Sequence, residues 1–236
     1  MREAGRITAR ALRLVGGHVR PGVTTGELDR VAEQAIREEG AVPAFLGYHG
    51  FPASICTSLN SQVVHGIPGK VRLREGDIIS IDIGAIHEGY YGDSASTFAV
   101  GQVSDVAQRL MDATRRSLEA GIAACEPDRH LYDVSNAVQT VAEGAGFSIV
   151  RGYVGHGIGQ AMHEEPNVPN YGPAGKGPVL KEGMVFAIEP MVNAGDAAVE
   201  SLDDGWTVVT RDGSLSAHFE HTVAVTASGP LVLTVE

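Results

Sequence analysis

The chain has 236 residues, of which 43% are hydrophobic and 20% are charged, so it can build a core and intrinsic disorder is excluded. The net charge of −11 and the absence of a Lys/Arg cluster exclude the basic face that nucleic-acid binding requires. The sequence contains no run of about 18 uncharged apolar residues, so no membrane span is predicted. It contains no apolar stretch near the start that would predict a signal peptide. Because Cys56 and Cys125 are the only cysteines, we expect reduced thiols, a cytoplasmic location and no membrane partner.

Hydrophobic spacing and capping residues predict four helices. Thr24 and Glu27 have the spacing of a capping box, which marks the start of the second helix, and Gly40 is expected to follow its end. Ser104 is expected to cap the third helix, and Gly144 to follow the fourth. The helical patterns run, in chain order, over residues 4–19, 24–36, 104–118 and 134–142.

Most of the remaining chain has the pattern of β-strands. Asp212-Gly213 is typical of a tight turn and predicts a hairpin between the last two strands. Helices and strands alternate as two helices followed by strands, twice over. This order predicts an α+β fold of two similar halves, with helices covering an antiparallel or mixed sheet. The predicted strands cover residues 54–59, 77–84, 91–100, 184–189, 206–210 and 215–225.

Acidic residues stand within strands that are otherwise apolar. A hairpin that turns near residues 87–89 would place Asp82 and Asp93 roughly opposite each other on one face. Opposed like charges are destabilising, and a cation is the simplest compensation. The alternative is a different register that leaves both acids in water. Glu189 and Glu220 also lie in apolar, strand-like runs. Acids are rarely buried unless they are paired or bind metal, so four such residues favour a metal site.

Three histidines lie in motifs that complement these acids. His65 stands at a strand-to-turn junction, and His156 lies between two glycines that allow close backbone approach. His163 follows, but a zincin helix is excluded because Asn167 stands where its second histidine would be. Lone histidines are more often structural or exposed than ligands, and four are assigned to that class: His18, His87, His130 and His218.

Charge balance points to two cations. Four carboxylates and one neutral imidazole carry a charge of −4, which two divalent ions would neutralise. Oxygen-rich ligation with one nitrogen suits Mn, Fe or Co, and two ions can share and deprotonate one water. No Gly-x-Ser-x-Gly elbow, Walker motif or dinucleotide fingerprint is present. The residues therefore predict a hydrolase with a dinuclear metal centre.

Eight ordered segments carry a further signal: 21–29, 47–52, 65–68, 155–159, 163–166, 188–191, 204–207 and 214–222. They resemble the motifs of the bacterial type I methionine aminopeptidases, and the resemblance covers nearly the whole chain. The resemblance implies a pita-bread fold, in which two pseudo-symmetric halves carry helices outside a curved antiparallel sheet, as a single catalytic domain over residues 1–236. It implies removal of the initiator methionine from nascent chains when the second residue is small, with two divalent ions (Co, Mn, Fe or Zn). A monomer is expected, and docking on the ribosome stays open.

The resemblance also implies a role for each metal-site residue. Asp82 would chelate one ion and Asp93 would bridge both, with Glu220 as the second bridge. His156 and Glu189 would hold the other ion. Glu189 would also exchange protons with the bridging hydroxide as it attacks.

Two more histidines and an apolar pocket would contact the substrate. His163 would hydrogen-bond the scissile peptide, and His65 would lie beside the amino-terminal end and position it or move protons. The chain departs from the family at two places near this pocket, because Phe45 stands where Cys is common and Met162 where Phe is common. The expected substrate-binding residues are Tyr48, Phe51, Cys56, His65, Met162, His163 and Trp206.

Two other functions compete with this interpretation. One is a proline-specific aminopeptidase of the same superfamily, which would usually carry a large added amino-terminal domain. The other is a catalytically inactive binding module on the same fold, which would be expected to have lost metal ligands. A non-peptidase metal-binding protein is a further alternative.

Overall fold

A computed structural model describes the whole chain, residues 1–236, as four α-helices, one 3-10 helical turn (Tyr48–Gly50) and fifteen strands. No helix has both the length and the apolar character needed to cross a membrane. The helices are α1 (Arg2–Gly16), α2 (Thr25–Glu38), α3 (Asp105–Ala124) and α4 (Leu131–Gly144). The strands are β1 (Val42–Pro43), β2 (Ile55–Leu59), β3 (Gln62–Val64), β4 (Ile78–His87), β5 (Tyr90–Ala99), β6 (Ser148–Ile149), β7 (Gly155–Gly157), β8 (Glu164–Val168), β9 (Val185–Ile188), β10 (Met191–Asn193), β11 (Val199–Ser201), β12 (Val208–Thr210), β13 (Ser216–His218), β14 (His221–Thr226) and β15 (Gly229–Val232).

All four predicted helices are present, and the N-caps expected at Thr24 and Ser104 are formed. The fourth helix includes Gly144, which was expected to follow it. The Thr24 hydroxyl accepts a hydrogen bond from the Glu27 N–H, and the Glu27 carboxylate accepts one from the Thr24 N–H, which completes the capping box. The Ser104 hydroxyl caps α3 in the same way through the Ala107 N–H. The first helix ends at Gly16, three residues earlier than predicted.

Each half of the molecule packs a pair of helices against a sheet. In the first half, α1 and α2 cover a sheet in which β4 pairs with β1, β2 and β5, and the apolar core between them contains Ile79, Ile81 and Ile83. In the second half, α3 and α4 cover the sheet β15-β14-β9-β7-β8, and Phe186 lies in its core. The predicted α+β arrangement of two helix-covered halves is therefore confirmed.

The two halves are joined where β5 meets the segment before β14. The Glu220 N–H donates to the Ala95 carbonyl at 2.9 Å. The Asp93 N–H donates to the Thr222 hydroxyl at 3.0 Å, and that hydroxyl donates to the Asp93 carbonyl at 2.8 Å. Two carboxylates, one from each half, are thereby fixed at the same seam.

The last two strand predictions are wrong in part. The segment 215–225 is two strands, because β13 pairs with β10 whereas β14 pairs with β9 and β15. The turn at Asp212-Gly213 exists, with Gly213 at a φ of 72°, but β12 pairs with β3 and β11 and makes no hairpin with β13. Strand β12 begins at Val208 because Asp204 accepts the N–H groups of Trp206 and Thr207 and holds a turn there.

Candidate metal centre

One cavity of about 150 Å³ collects residues from both halves of the molecule. All of the acids, histidines and apolar residues expected at the site line this cavity, and Phe45 joins them. A cavity of this size accepts a benzene-sized apolar group. The lining residues are Phe45, Tyr48, Phe51, Cys56, His65, Asp82, Asp93, His156, Met162, His163, Glu189, Trp206 and Glu220.

Strands β4 and β5 bring Asp82 and Asp93 to one face, but the two residues are not directly opposite. Asp82 pairs with Ala95 and Asp93 with Gly84, so the two acids are diagonal neighbours. The offset arises because the turn is formed by Glu88 and Gly89, both with positive φ, one residue later than direct opposition would require. The two carboxyl groups nevertheless interact directly, side chain to side chain. The alternative that leaves both acids in water is wrong, because both line the cavity and Asp93 is 5% exposed.

Gly84 leaves room for the side chain of Phe45, which stands where the resembled family commonly has Cys. A Cβ at Gly84 would lie 2.9 Å from the Phe45 ring, so the ring occupies space that any larger residue opposite Asp93 would fill. Phe45 and Met162 are both almost fully buried and belong to one apolar cluster at the cavity. The two residues at which the chain departs from the resembled family therefore contribute to the same wall.

Strand β7 holds His156 with its Nε2 atom directed into the cavity. The ring donates from Nδ1 to the Gly157 carbonyl at 2.9 Å, which leaves a lone pair on Nε2. That Nε2 lies 3.6 Å from Glu189 Oε1, which is too long for a hydrogen bond. The flanking glycines admit neighbouring backbone, since a Cβ at Gly155 would collide with Ala187.

Several buried oxygens at the site lack the partners that burial normally demands. Asp82 Oδ1, Asp93 Oδ1 and Glu220 Oε1 have no hydrogen-bond partner in the protein, and such groups are costly when left unpaired. Ligand atoms of Asp93, His156 and Glu220 all lie within 4.8 Å of one another. This set of carboxylate oxygens and one imidazole nitrogen fits divalent metal ions.

Burial also disturbs the acid–base properties of the site. It raises the pKa of Asp82 and of Glu189 to about 7, and the neighbouring Glu189 carboxylate adds to the rise at Asp82. Burial, followed by repulsion from neighbouring carboxylates, raises the pKa of Asp93 and of Glu220 well above its ordinary value. Crowded carboxylates with raised pKa values are expected where a cation is needed for full ionisation.

Two neutral histidines flank the acids. His65 follows β3 with a φ of 60°, as expected for a strand-to-turn junction, and its ring lies 6.4 Å from that of Trp206. Burial lowers the pKa of His65 to about 4. His163 lies beside His156, with 4.2 Å between ring centroids, and burial also lowers its pKa. Both side chains are therefore neutral hydrogen-bonding groups at neutral pH.

The apolar wall of the cavity is formed by aromatic and sulfur-containing side chains. Phe51 and Trp206 meet edge to face, with 5.0 Å between ring centroids. Cys56 pairs across the sheet with Asp82, and burial raises the pKa of its thiol, which therefore stays neutral. With Met162, these residues form a soft apolar surface of the kind that suits a thioether.

His218 was assigned to the structural or exposed class, and the structure places it at the metal site. It lies on β13, is 1% exposed, and its Nε2 is 3.5 Å from Glu189 Oε2. That nitrogen has no hydrogen-bond partner. Glu189 therefore lies between two imidazoles, with Oε1 near His156 and Oε2 near His218. The proximity of His218 to Glu189 follows from the pairing of β13 with β10. The sequence pattern carried no signal for this pairing.

We expect a nitrogen donor at position 218 to support Glu189. In the metal-bound protein we expect the 3.5 Å separation between His218 Nε2 and Glu189 Oε2 to shorten to a hydrogen bond. His218→Leu should then weaken Mn binding by about 10- to 100-fold, the effect of removing such a partner of a metal ligand. His218→Gln retains an N–H donor and should bind Mn nearly as tightly as the unaltered protein. Equilibrium dialysis against a competing chelator measures both affinities. Equal affinity in the Leu variant would show that the imidazole does not support Glu189.

Comparison with known proteins identifies the family. Residues 1–227 match the sequence profile of metallopeptidase family M24. Methionine aminopeptidase 1 of Bacillus subtilis is 54% identical over 99% of this chain and 94% of its own length. The chain belongs to metallopeptidase family M24, among the methionine aminopeptidases. The Escherichia coli methionine aminopeptidase is 46% identical to this M24 peptidase over 99% of the chain and 89% of its own length.

Solved structures confirm the expected pita-bread fold. The methionine aminopeptidase of Thermotoga maritima superposes on this M24 peptidase with a TM-score of 0.99, at 45% identity, over all of this chain and 95% of its own. The prolidase of Pyrococcus furiosus shares the fold, with a TM-score of 0.79 and 23% identity, but this chain spans 62% of its length. The resemblance seen in the motifs is confirmed by relatives that match over almost their whole length, and the peptidase is a metal-dependent hydrolase.

Proposed function

We propose that this M24 peptidase removes the amino-terminal methionine from peptides and nascent proteins whose second residue is small, using two divalent ions. The observation that carries the proposal is the convergence of four carboxylates and His156 on one cavity that also has an apolar wall. The four negative charges at this site match two divalent cations. Mn, Co, Fe and Zn are the candidates for these ions.

Five residues would hold the ions, and two histidines would act on the substrate. The ligands would be Asp82, Asp93, His156, Glu189 and Glu220. When bound, two divalent ions supply a water of lowered pKa and an electrophile for the peptide carbonyl. His163 is neutral and sits beside His156, so it can donate a hydrogen bond to the scissile peptide as charge develops. Glu189 would also accept and return a proton during attack, as the family resemblance implies.

The cavity walls explain why methionine would be selected. An unbranched thioether side chain can enter between Phe51, Met162 and Trp206 and contact the neutral Cys56 thiol. His65 lies at the side of the cavity near Trp206, where it can position the amino-terminal end. A preference for a small second residue follows from the family resemblance.

We also propose the domain organisation, the location and the oligomeric state of the enzyme. Residues 1–236 would act as one catalytic domain, because each half contributes carboxylates to the same cavity. A cytoplasmic, monomeric enzyme is proposed, and the free buried thiols of Cys56 and Cys125 agree with a reducing environment. Nascent chains are its proposed substrates, and a ribosome-binding assay would decide whether it docks there.

Substrate side chains test the pocket assignment. Norleucine preserves the length and apolarity of methionine, so we expect cleavage of norleucyl-Ala-Ser within about one to two orders of magnitude of Met-Ala-Ser. Leucine branches one carbon too early and should be a poor substrate. The values of kcat/KM for the three peptides measure this preference. Equal values for leucine and methionine would contradict the pocket assignment.

The competing functions are separated by one assay. Metal-stripped protein is incubated with Met-Ala-Ser or with an Ala-Pro peptide, each with and without added Mn or Co. Release of methionine from Met-Ala-Ser that depends on metal supports the proposal. Preferential cleavage of the Ala-Pro peptide would indicate a proline-specific peptidase. Metal binding without cleavage of either peptide would indicate a binding protein.

A further inference from the structure

Tyr48 and His163 share a short hydrogen bond at the edge of the cavity. The phenol oxygen of Tyr48 lies 2.7 Å from Nδ1 of His163, and the rings are 5.5 Å apart and tilted by 30°. We propose that Tyr48 is a positioning residue, whose phenol proton occupies Nδ1 of His163 and keeps the imidazole proton on Nε2. The inference rests on the proposed function, because His163 matters for chemistry only if a peptide is cleaved at this site.

The direction of this hydrogen bond follows from counting protons. A phenol keeps its proton at neutral pH, so Tyr48 brings one donor to this 2.7 Å contact. A neutral imidazole has one N–H and one acceptor nitrogen. The phenol has one proton, and Nδ1 of His163 is the only protein acceptor within hydrogen-bonding distance. If Tyr48 donates to Nδ1, the His163 proton must reside on Nε2.

The backbone around Tyr48 is folded tightly enough to fix the phenol. The Gly47 N–H donates to the Phe51 carbonyl at 2.9 Å, and the Phe51 N–H donates back to the Tyr48 carbonyl at 2.9 Å. Gly47, His49 and Gly50 all have positive φ values, of 84°, 46° and 88°. A non-glycine residue at positive φ is uncommon, and such conformations concentrate at functional sites. The turn therefore presents Tyr48 in one defined direction.

The position of the proton decides what His163 can do. With Nε2 protonated, the ring offers a donor to a peptide group and has no free lone pair to compete with His156 for a cation. With Nδ1 protonated, the ring would offer only an acceptor at Nε2. A donor is the form required to stabilise charge that develops on the substrate. Tyr48 would thus act through His163, in addition to forming part of the pocket wall.

The variant Tyr48→Phe separates these two roles, because it keeps the ring and removes only the oxygen. We expect kcat for Met-Ala-Ser to fall about five- to tenfold, the size expected for loss of one neutral hydrogen bond, with KM and Mn content unchanged. Tyr153→Phe is the matched control. Its ring packs edge to face on His65, and its hydroxyl is near Ser201 and contacts no histidine nitrogen. The control should retain its kcat.

A double-variant cycle tests whether Tyr48 acts through His163. On the His163→Ala background, Tyr48→Phe should cause no further loss of kcat. An undiminished five- to tenfold loss on that background would overturn the proposal, as would an unchanged kcat in the single variant.

The tautomer can be observed without an activity measurement. In 15N-histidine-labelled, zinc-loaded protein, the ring nitrogens of His163 are assigned by their loss in His163→Ala. We expect a protonated Nε2 and an unprotonated Nδ1, with Tyr48→Phe shifting the ring toward a mixture of tautomers. A protonated Nδ1 in the unaltered protein would overturn the proposal. If neither the unaltered protein nor the variants released methionine, the proposed function would be wrong. The spectrum would still show which ring nitrogen of His163 carries the proton.

Discussion

The variant His156→Ala is expected to lose metal binding, whereas His163→Ala is expected to keep its metal and lose catalysis. Nε2 of His156 carries a free lone pair directed at the carboxylate cluster, because Nδ1 donates to the Gly157 carbonyl. Removing a partner of a metal ligand already costs about 10- to 100-fold in affinity, so removing the ligand itself should cost at least that much. For His163→Ala, we expect kcat to fall by about 10²–10³, the scale of losing one donor to a developing charge.

Metal content and steady-state kinetics on the same preparations separate the two roles. Mn per chain is measured after dialysis, and kcat is measured with saturating Mn and Met-Ala-Ser. His18→Ala is the control, because its ring contacts the Leu14 carbonyl on α1, outside the cavity. A metal-free His163→Ala protein together with a metal-loaded His156→Ala protein would reverse the two assignments.

The metal-free protein should lose stability as pH rises from about 4 to about 7. In the folded state, burial raises the pKa of Asp82 and Glu189 to about 7, and the pKa values of Asp93 and Glu220 are also raised. The unfolded values are near 3.9 for Asp and 4.3 for Glu. The folded state therefore binds more protons, so its stability is fully present below the unfolded pKa and falls as pH rises through the folded pKa. One pKa unit corresponds to about 1.4 kcal/mol, which makes a loss of a few kcal/mol the expected scale.

Replacing one member of this cluster should relieve the repulsion. Asp93→Asn is expected to be inactive, because it removes a proposed bridging ligand. At about pH 7.5 in EDTA, it is nevertheless expected to unfold at a temperature equal to or above that of the unaltered protein. The reason is that the Asp93 Oδ1 atom is buried without a partner and faces other acids. Adding Mn should reverse the order, since metal stabilises only the protein that binds it.

Asp212→Asn is the matched control, and its change in melting temperature is expected to have the opposite sign. Its two oxygens accept the Ser214 and Asp196 N–H groups, and the nearby Ser214 side chain together with these two hydrogen bonds lowers the pKa of Asp212 to about 2. This replacement should lower the melting temperature at pH 7.5, with or without Mn. Thermal melts of the unaltered protein and of the two variants show whether the Asp93 carboxylate destabilises the metal-free fold. A metal-free Asp93→Asn protein clearly less stable than the unaltered protein would mean that the carboxylate is structural.

The sequence predicted the parts of the fold that depend on local pattern. The Thr24 capping box and the Ser104 cap are formed as predicted, because both lie within one helical turn of chain. The hairpin of β4 and β5 was also predicted, with its turn near residues 87–89, but the two acids predicted to be roughly opposite are diagonal neighbours. Positive φ at both Glu88 and Gly89 moves the turn, and the sequence alone did not distinguish this from a turn at His87 and Glu88.

Features that depend on pairing between strands far apart in the sequence could not be predicted from the residue pattern. Strands β13 and β14 are separated by two residues, Phe219 and Glu220, yet they enter different sheets. The same change of sheet places Glu220 at the seam between the halves and brings His218 toward Glu189. A lone histidine in an apolar strand carries no sign of what faces it across the fold. The acids were recognisable because burial of an unpaired carboxylate is costly wherever its partner lies.

The most direct test of the metal-dependent hydrolase is a titration of Mn into EDTA-stripped protein, with methionine release from Met-Ala-Ser followed at each addition. The four carboxylates and His156 at one cavity predict no release without metal and a return of activity as Mn binds, saturating at two ions per chain. Full methionine release by the stripped protein, with no Mn bound, would contradict the account.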